Sequence, residues 1–306
     1  MKIKAALLFL TILSALLFSG CVPDKGDVNP GTNSGNSDIP DEDALNGLKT
    51  AAADAERIGV ISENLTIGTK NRTQTFSSAD NTLIGWGLGR DRDSLGRPID
   101  AVKAQEKYGA HSALFIDASG EKNLYLTFDE GYENGYTGAI LDTLKEKGVK
   151  AVFFVTYDYC VSSPDLVERM IAEGHTVGNH SYTHPSFPSC SEEKVVEEVM
   201  TLHDYVKENF DYEMKLFRFP MGEFSERTLL QLENLGYTSV FWSFAYQDCN
   251  TESQPSAEEA FETVTSAAHS GAIYLLHAVS KANAEALGDI IDFWRSEGYE
   301  VCSFAA

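Results

Sequence analysis

From residue 124 to the C-terminus, short apolar runs alternate with helix-like segments, and this alternation restricts the possible folds more than any other feature. Seven apolar runs have the length of strands: residues 124–128, 151–156, 176–179, 215–219, 239–242, 272–276 and 300–304. Nearly continuous apolar runs are typical of strands buried on both faces. Strands that alternate with helices favour a parallel sheet. We therefore predict an α/β fold with about seven parallel strands, either a partly closed barrel or an open doubly wound sheet.

Capping residues mark the ends of the intervening helices. Hydroxyl side chains satisfy free N–H groups at a helix start, and glycine adopts the left-handed conformation after a helix end. Five predicted helices start at Thr137, Ser163, Ser191, Ser225 and Ser256, and the predicted ends lie at Gly148, Gly174, Gly236, Gly271 and Gly298. The helix after Ser191 carries one apolar face, formed by Val195, Val199, Leu202 and Val206.

The first twenty residues have the pattern of a targeting segment. Lys2 and Lys4 precede an apolar run, residues 5–18, which is short for a membrane span. Residues 17–21, Leu-Phe-Ser-Gly-Cys, resemble a bacterial lipobox. We predict a lipoprotein signal peptide over residues 1–20, acylation of Cys21, and a membrane lipid anchor at the outer face of the cytoplasmic membrane, with the protein associated with the cell wall. A plain secretory signal is the alternative.

The rest of the N-terminal region lacks the strand–helix alternation. Residues 21–44 are polar and contain three prolines, which predicts a disordered linker. Residues 45–120 are interpreted as an N-terminal extension that packs on a catalytic domain of residues 121–306. Within this extension, residues 45–58 favour a short helix, and residues 61–120 look irregular.

Charge and cysteine content limit the partners and the cross-links. The chain carries 46 acidic and 24 basic residues, a formal net charge of −22. Nucleic acid repels such a chain, so no nucleic-acid partner is expected. Outside the cell disulfides are permitted. Cys160 and Cys190 follow strands that are consecutive in sequence, and we predict a disulfide between them.

Polar residues stand where the predicted strands end. The carboxyl ends of parallel strands meet on one face, which is where active sites of such folds lie. A single polar residue there is often only a loop hydrogen-bonding group. Five strand ends carrying such residues favour a site instead, formed by Asp129, Glu130, His180, His184, Arg218, Asp248 and His277.

Three of these residues could bind a metal ion. His180 and His184 have H-x-x-x-H spacing, which on a helix would place them on one face, although Pro185 and Pro188 favour a loop. Glu130 could supply a carboxylate. Two histidines, one carboxylate and an open position suit catalytic zinc.

The remaining residues form two acid–base pairs. Asp129 could remove a proton from water, with Arg218 holding it ionised. His277, held by Asp248, could protonate a leaving amine. A metal ion, a base and an acid together indicate hydrolysis of an amide or an ester.

These residues fall in segments that resemble the five ordered motifs of the polysaccharide deacetylases, also called the NodB-homology or carbohydrate esterase 4 family. The segments are Thr127-Phe128-Asp129-Glu130-Gly131-Tyr132, His180-Ser181-Tyr182-Thr183-His184, Arg218-Phe219-Pro220-Met221-Gly222, Trp242 with Asp248, and Leu275-Leu276-His277.

The resemblance implies a distorted (β/α) barrel and a role for each site residue. Asp129 is then the base with Arg218 as its partner, and His277 is the acid with Asp248 as its partner. His180 and His184 are ligands of a divalent metal ion. The resemblance also implies that the backbone N–H of Met221 helps to bind the oxyanion. Glu130 stands in place of the family's second aspartate, and Cys249 replaces the tryptophan usual after the fourth motif's aspartate.

Further segments are similar to the branch that deacetylates N-acetylmuramic acid in peptidoglycan. They are residues 81–87, 132–137, 241–246 and 277–280. The resemblance implies metal-assisted hydrolysis of the N-acetyl group of peptidoglycan amino sugars, with release of acetate. The alternatives are deacetylation of N-acetylglucosamine in glycan or chitin oligomers, and a non-catalytic wall-binding lipoprotein of the same fold.

Overall fold

A computed structural model describes residues 78–304. The strands are β1 (Ile84–Gly85), β2 (Ala113–Leu114), β3 (Asn123–Glu130), β4 (Val152–Val155), β5 (Thr176–Asn179), β6 (Leu216–Phe217), β7 (Glu223–Phe224), β8 (Thr238–Val240), β9 (Phe244–Ala245), β10 (Ala272–His277) and β11 (Glu300–Cys302). The α-helices are α1 (Ile99–Tyr108), α2 (Thr137–Lys147), α3 (Tyr157–Ser162), α4 (Pro164–Ala172), α5 (Glu192–Phe210), α6 (Glu226–Asn234), α7 (Ala257–Ser266) and α8 (Lys281–Ser296).

One curled parallel sheet organises these elements. Eight strands pair in the order β2-β8-β6-β5-β4-β3-β10-β9, and β11 pairs with β3. Every pairing in this sheet is parallel, as predicted from the alternation of strands and helices. All seven predicted strands are present. β2 and β9 add two short strands that carry no sequence pattern of their own.

The two faces of the sheet bury different residues. On β3, Leu124, Leu126 and Phe128 belong to the large core between sheet and helices, whereas Tyr125 packs against a small cluster on the opposite face. Side chains of a strand alternate between its faces, so Thr127 and Asp129 share the face of Tyr125. The small cluster lies inside the curl of the sheet and consists of Val152, Phe154, Leu216, Val240 and Ile273.

The predicted capping residues act at most helix ends. The Ser191 hydroxyl accepts a hydrogen bond from the Lys194 N–H, and Ser256 forms a capping box with Glu259. Helix α7 ends at Ser266, earlier than the predicted stop at Gly271. Gly271 has another role: a Cβ atom there would lie 2.0 Å from the carbonyl oxygen of Asp117, so only glycine permits this backbone contact.

The described part of the N-terminal extension contributes to the same core. Residues 61–120 were predicted to be irregular, and this is wrong for 99–108, which form α1. Its buried face consists of Ala101, Ala104 and Tyr108, and two small alanines give a weak hydrophobic pattern. β2 extends the main sheet, and β1 pairs antiparallel with β7. The predicted signal peptide, Cys21, the linker and the helix over 45–58 lie outside the described residues.

The described residues contain no membrane-spanning helix and no bond between Cys160 and Cys190. No helix within residues 78–304 combines the length and apolar character that crossing a bilayer requires. The predicted Cys160–Cys190 disulfide is wrong: both cysteines are free thiols. Cys160 is buried in the core on α3, and the Cys190 thiol donates to the carbonyl oxygen of Ser186. The two cysteine side chains therefore lie in different surroundings and are not bonded to each other.

Candidate active site

Arg218 and Asp129 form a buried ion pair inside the curl of the sheet. The Nη1 atom of Arg218 donates to Oδ1 of Asp129 at 2.8 Å. Its Nε and Nη2 atoms donate to the carbonyl oxygens of Val240 and Phe241, and its Cζ lies 4.2 Å from the centre of the Phe154 ring. The guanidinium group is thus fixed in position and presents its charge to one carboxylate oxygen.

The charge of Asp129 follows from its neighbours. Burial raises its pKa, but the positive charge of Arg218, followed by the contributions of His180 and His277, lowers the pKa below the ordinary value. Asp129 is therefore an ionised carboxylate at neutral pH. Because Arg218 occupies Oδ1, Oδ2 remains available to accept a proton.

His180 and His184 present neutral imidazoles beside this carboxylate. Nδ1 of His180 lies 2.9 Å from the carbonyl oxygen of Arg218, which can only accept, so Nδ1 carries the proton. Nε2 then carries the lone pair and lies 3.6 Å from Oδ2 of Asp129. The His184 ring centre lies 4.8 Å from that of His180. Burial lowers the pKa of both histidines, that of His184 to about 4.

The two histidines lie on a loop and not on a helix. The loop follows β5, and Ser181 and His184 both have positive φ angles, 73° and 57°. Such values are rare for residues other than glycine. The side-chain oxygen of Asn179 accepts from the Ser181 N–H at 2.8 Å, and the Ser181 hydroxyl accepts from the His184 N–H at 2.9 Å. These bonds maintain a backbone shape that places both rings on one side.

Glu198 of α5 anchors the same loop and was missed by sequence reasoning. Its carboxylate is fully buried and accepts from both the N–H and the hydroxyl of Thr183, at 2.7 and 2.6 Å. Lys194 lies 3.1 Å from the same carboxylate. The sequence did contain a signal for this role, because Glu198 is a charged residue next to Val199 on the predicted buried face of the helix.

Glu130 does not join the two histidines. It follows Asp129 on β3 and therefore faces the helices, as Phe128 does. Neither of its carboxylate oxygens has a hydrogen-bond partner within residues 78–304. Burial, followed by the charges of Glu133 and Asp129, raises its pKa well above the ordinary value. Burial thus favours the neutral form of the Glu130 carboxyl, which lies on the far side of the strand.

This placement corrects the predicted metal-ligand set. Within the described residues, no group of three or more His, Cys, Asp and Glu side chains is arranged to hold a metal ion. His180 and His184 have the protonation state that ligands need, but Glu130 points away from them. Glu130 is therefore not placed to complete a three-ligand metal site with His180 and His184.

His277 and Asp248 form the second pair. Nδ1 of His277 lies 2.6 Å from Oδ1 of Asp248, and the His277 N–H donates to Oδ2 at 2.8 Å. Burial lowers the pKa of His277, but the charge of Asp248 and its hydrogen bond outweigh burial and raise the pKa. The raised pKa favours the protonated form of His277, whose Nε2–H could then donate a proton.

Two residues that sequence reasoning missed complete this pair. Asn283, buried in the first turn of α8, donates to Oδ2 of Asp248 at 2.6 Å and to the carbonyl oxygen of His277 at 3.2 Å. Tyr246 donates to the side-chain oxygen of Asn283. The signal for Asn283 was its position three residues after Ser280, whose hydroxyl accepts from the Asn283 N–H.

Met221 lies on a rigid turn at the rim of the site. It has a positive φ of 57° inside the 3-10 turn Pro220–Gly222 and is 36% exposed. The Trp86 N–H donates to the Gly222 carbonyl oxygen, and a Cβ atom on Gly222 would lie 2.8 Å from the Trp242 ring. The aromatic packing fixes the turn. The oxyanion role of the Met221 N–H stays a prediction.

Comparison with known proteins identifies the family. The model of the family described as polysaccharide deacetylase matches residues 117–240. The peptidoglycan-N-acetylmuramic acid deacetylase PdaA of Bacillus subtilis is 40% identical over 224 residues, which cover 72% of this chain and 83% of that protein.

This chain belongs to the polysaccharide deacetylase family.

Solved structures agree with this assignment. The structure of PdaA from Bacillus subtilis, a family 4 carbohydrate esterase, superimposes with a TM-score of 0.70 at 37% identity, covering 73% of this chain and 96% of that one. A family 4 carbohydrate esterase from Bacillus anthracis gives a TM-score of 0.61 at 40% identity, covering 74% and 96% of the two chains.

The deacetylase fold brings most of the predicted site residues together. Strand β10 pairs with β3 so that His277 stands opposite Asp129, and neighbouring strands are about 4.8 Å apart. The residues that meet on this face are Asp129, His180, His184, Arg218, Asp248 and His277. A carboxylate base and an imidazolium acid side by side can hydrolyse an amide.

Proposed function

We propose that this deacetylase hydrolyses the N-acetyl group of peptidoglycan amino sugars, with N-acetylmuramic acid as the preferred sugar, and releases acetate. The observation that carries the proposal is the register of β3 and β10, which sets an ionised Asp129 beside a protonated His277. The similarity to PdaA, a peptidoglycan-N-acetylmuramic acid deacetylase, supports the choice of sugar.

The residues suggest a sequence of proton transfers. Water adds through its oxygen to the acetyl carbonyl carbon while Oδ2 of Asp129 takes its proton. The carbonyl oxygen becomes an oxyanion, which the Met221 N–H is proposed to stabilise. His277 then donates its Nε2 proton to the amide nitrogen, and the C–N bond breaks as the oxyanion re-forms the C=O bond. The products are acetate and a free amino sugar.

A divalent ion, zinc in the simplest case, is proposed to bind at His180 and His184. The support is chemical, because both imidazoles are neutral and Nδ1 of His180 is held by a backbone carbonyl, as in many histidine metal sites. When bound, such an ion would polarise a carbonyl oxygen. Calorimetric titration with zinc tests the proposal: His184→Gln should abolish binding, and wild-type protein that binds no zinc would refute it.

A second candidate substrate is N-acetylglucosamine in glycan or chitin oligomers. It is favoured by a chitooligosaccharide deacetylase from Bradyrhizobium that is 35% identical over 162 residues, which cover 53% of this chain and 73% of that protein. Chitin oligomers contain no muramic acid, so the products of the two candidates differ.

An acetate-release assay on purified peptidoglycan tests the proposed function. Wild-type protein should release acetate, Asp129→Asn should lose at least about 10²-fold in rate because the base is gone, and the exposed Asp289→Asn should match wild type. Mass spectrometry of the digested glycan then identifies the sugar. No acetate release by wild-type protein would leave only a non-catalytic, wall-binding role, and equal release above background by wild type and Asp129→Asn would show that Asp129 is not the base.

A further inference from the structure

A short segment that precedes the long strands of the sheet is bonded to three loops of the site. This segment, residues 80–86 and called the strap below, contains β1 and lies outside residues 117–240, which the family model matches. β1 pairs antiparallel with β7, which directly follows the turn that carries Met221. The strap therefore runs beside the rim of the site.

Trp86, at the end of the strap, is bonded to two of these loops. Its backbone N–H donates to the carbonyl oxygen of Gly222 at 2.9 Å. Its indole Nε1–H donates to the carbonyl oxygen of Trp242, also at 2.9 Å. The carbonyl oxygen one residue earlier, that of Phe241, accepts from the guanidinium of Arg218. Trp86 and Arg218 therefore hold neighbouring carbonyl groups of the segment that follows β8.

The indole ring of Trp86 is held by packing as well as by its hydrogen bond. Its centre lies 4.6 Å from that of the Phe115 ring, edge to face, and Phe115 stacks on Phe241 at 4.2 Å. Phe115 and Phe241 are both fully buried. A Cβ atom on Gly222 would lie 3.2 Å from the Cβ atom of Trp86, so strap and turn are in close contact. The core thus fixes Trp86, and Trp86 supports the turn.

Asn81 fastens the other end of the strap to the loop that follows β5. Its Nδ2 donates to the carbonyl oxygen of Pro188 at 2.8 Å, four residues after His184 in that loop. Its Oδ1 accepts from the Ser225 hydroxyl at 2.8 Å, at the start of α6. The loop of the two site histidines and the turn of Met221 are therefore joined through one segment.

We propose that Trp86 is a positioning residue for deacetylation and that Asn81 keeps the strap in place. The inference rests on the proposed function, because both residues act on the reaction through the Met221 turn. A backbone N–H stabilises an oxyanion only when it is already aimed at the oxygen. Met221 has a positive φ, a conformation that persists only when surrounding structure holds it. The strap provides that support from outside the residues that do the chemistry.

Steady-state acetate release from solubilised peptidoglycan tests the role of both residues. Trp86→Phe keeps an aromatic ring but removes the indole N–H, and Asn81→Ala removes both anchoring bonds. Each should lower kcat about tenfold and change KM by less than about twofold, because misplacement of the turn weakens binding of the transition state alone. Leu83→Ala should match wild type, since Leu83 belongs to the strap but is exposed. An unchanged kcat in Trp86→Phe and Asn81→Ala, or a rise confined to KM, would overturn the proposal.

Nuclear magnetic resonance separates positioning from a general loss of folding. In Asn81→Ala the indole proton of Trp86 should exchange with solvent at least about fivefold faster than in wild type, because the strap has lost its anchor. In Trp86→Phe the methyl signal of Met221 should shift. Three methionines elsewhere in the described chain should keep their signals, namely Met170, Met200 and Met214.

These signals also separate the strap from the proposed function. An unchanged Met221 signal in Trp86→Phe would overturn the proposal, and so would changes that spread to the other three methionines, since general destabilisation would then explain the lower kcat. Wild-type protein that releases no acetate would refute the proposed function instead. The exchange of the Trp86 indole proton and the Met221 signal would still decide whether the strap holds the turn.

Discussion

At the scale of single residues, the site moves the pKa values of its two acid–base groups, Asp129 and His277, in opposite directions. The guanidinium of Arg218 lowers the pKa of Asp129, and the carboxylate of Asp248 raises the pKa of His277. Asn283 matters because it donates to the Asp248 oxygen that does not bond the His277 ring. Both groups are therefore in their reactive forms over a shared range of pH.

The pH profile of kcat/KM should show this arrangement. Activity requires protonated His277, so it falls as pH rises through the raised pKa of that imidazole. In Asp248→Asn the carboxylate that raises this pKa is absent, and the alkaline limb should move to lower pH. The maximal rate should fall by about 10²-fold or more, since the imidazole loses its orienting partner.

Asp289→Asn is the control for this measurement, because Asp289 is exposed on α8 and outside the site. An alkaline limb that stays in place in Asp248→Asn would show that another group controls it.

The buried carboxyl group of Glu130 should make the free energy of unfolding depend on pH. Its folded-state pKa is raised, so between the ordinary glutamate pKa and that raised value the folded protein binds one proton more than the unfolded chain. The free energy of unfolding should fall with rising pH in this window, by up to about 1.4 kcal/mol per pH unit. Glu130→Gln removes this slope and should be more stable than wild type at neutral pH.

Urea denaturation at several pH values, with a chelator present, measures the slope, and the exposed Glu146→Gln serves as the control. Parallel pH dependence in wild type and Glu130→Gln would mean that the Glu130 carboxylate is solvated or paired.

At the scale of elements, the hydrophobic pattern of the sequence predicted those strands and helices that bury a continuous face. The strands with long apolar runs and the capped helices were predictable, whereas β2 and β9, of two residues each, were not. Glu130 was assigned wrongly because adjacent strand residues point to opposite faces, and spacing in a motif does not encode that. The contribution of Asn283 depends on how α8 packs, which no local pattern specifies.

The contact between Glu198 of α5 and the loop after β5 predicts that a change in the helix alters the loop. Glu198→Ala should lower the free energy of unfolding by about 3 kcal/mol, because the Thr183 N–H loses its charged acceptor. It should also lower kcat more than it raises KM, because His180 and His184 lose the anchor of their loop. Denaturation and steady-state kinetics measure the two effects.

Glu197→Ala is a matched control, since Glu197 pairs with the same Lys194 at 3.1 Å but is part-exposed. Its effect on stability should stay below about 1 kcal/mol, as for other solvent-exposed pairs. A similar loss in both variants would assign the effect to Lys194 and not to the loop.

At the scale of the whole molecule, we propose that the mature protein begins at an acylated Cys21 and is anchored to the outer face of the cytoplasmic membrane. The proposal rests on the lipobox-like residues 17–21. Wild-type protein expressed in a bacterium should partition into the detergent phase, and Cys21→Ala should partition into the aqueous phase. Equal partitioning of the two into detergent would contradict acylation at this residue.

The pairing of β3 with β10 has a consequence for how this catalyst fails. Six successive residue pairs join β3 and β10, and the last pair is Asp129 with His277. The distance between base and acid is therefore fixed by the backbone hydrogen bonds between these two strands. Heating cannot separate the two groups gradually; they part only when the ladder itself opens. Activity should consequently persist almost to the melting temperature. It should then be lost in the same global unfolding that exposes the slowest-exchanging backbone amides to solvent.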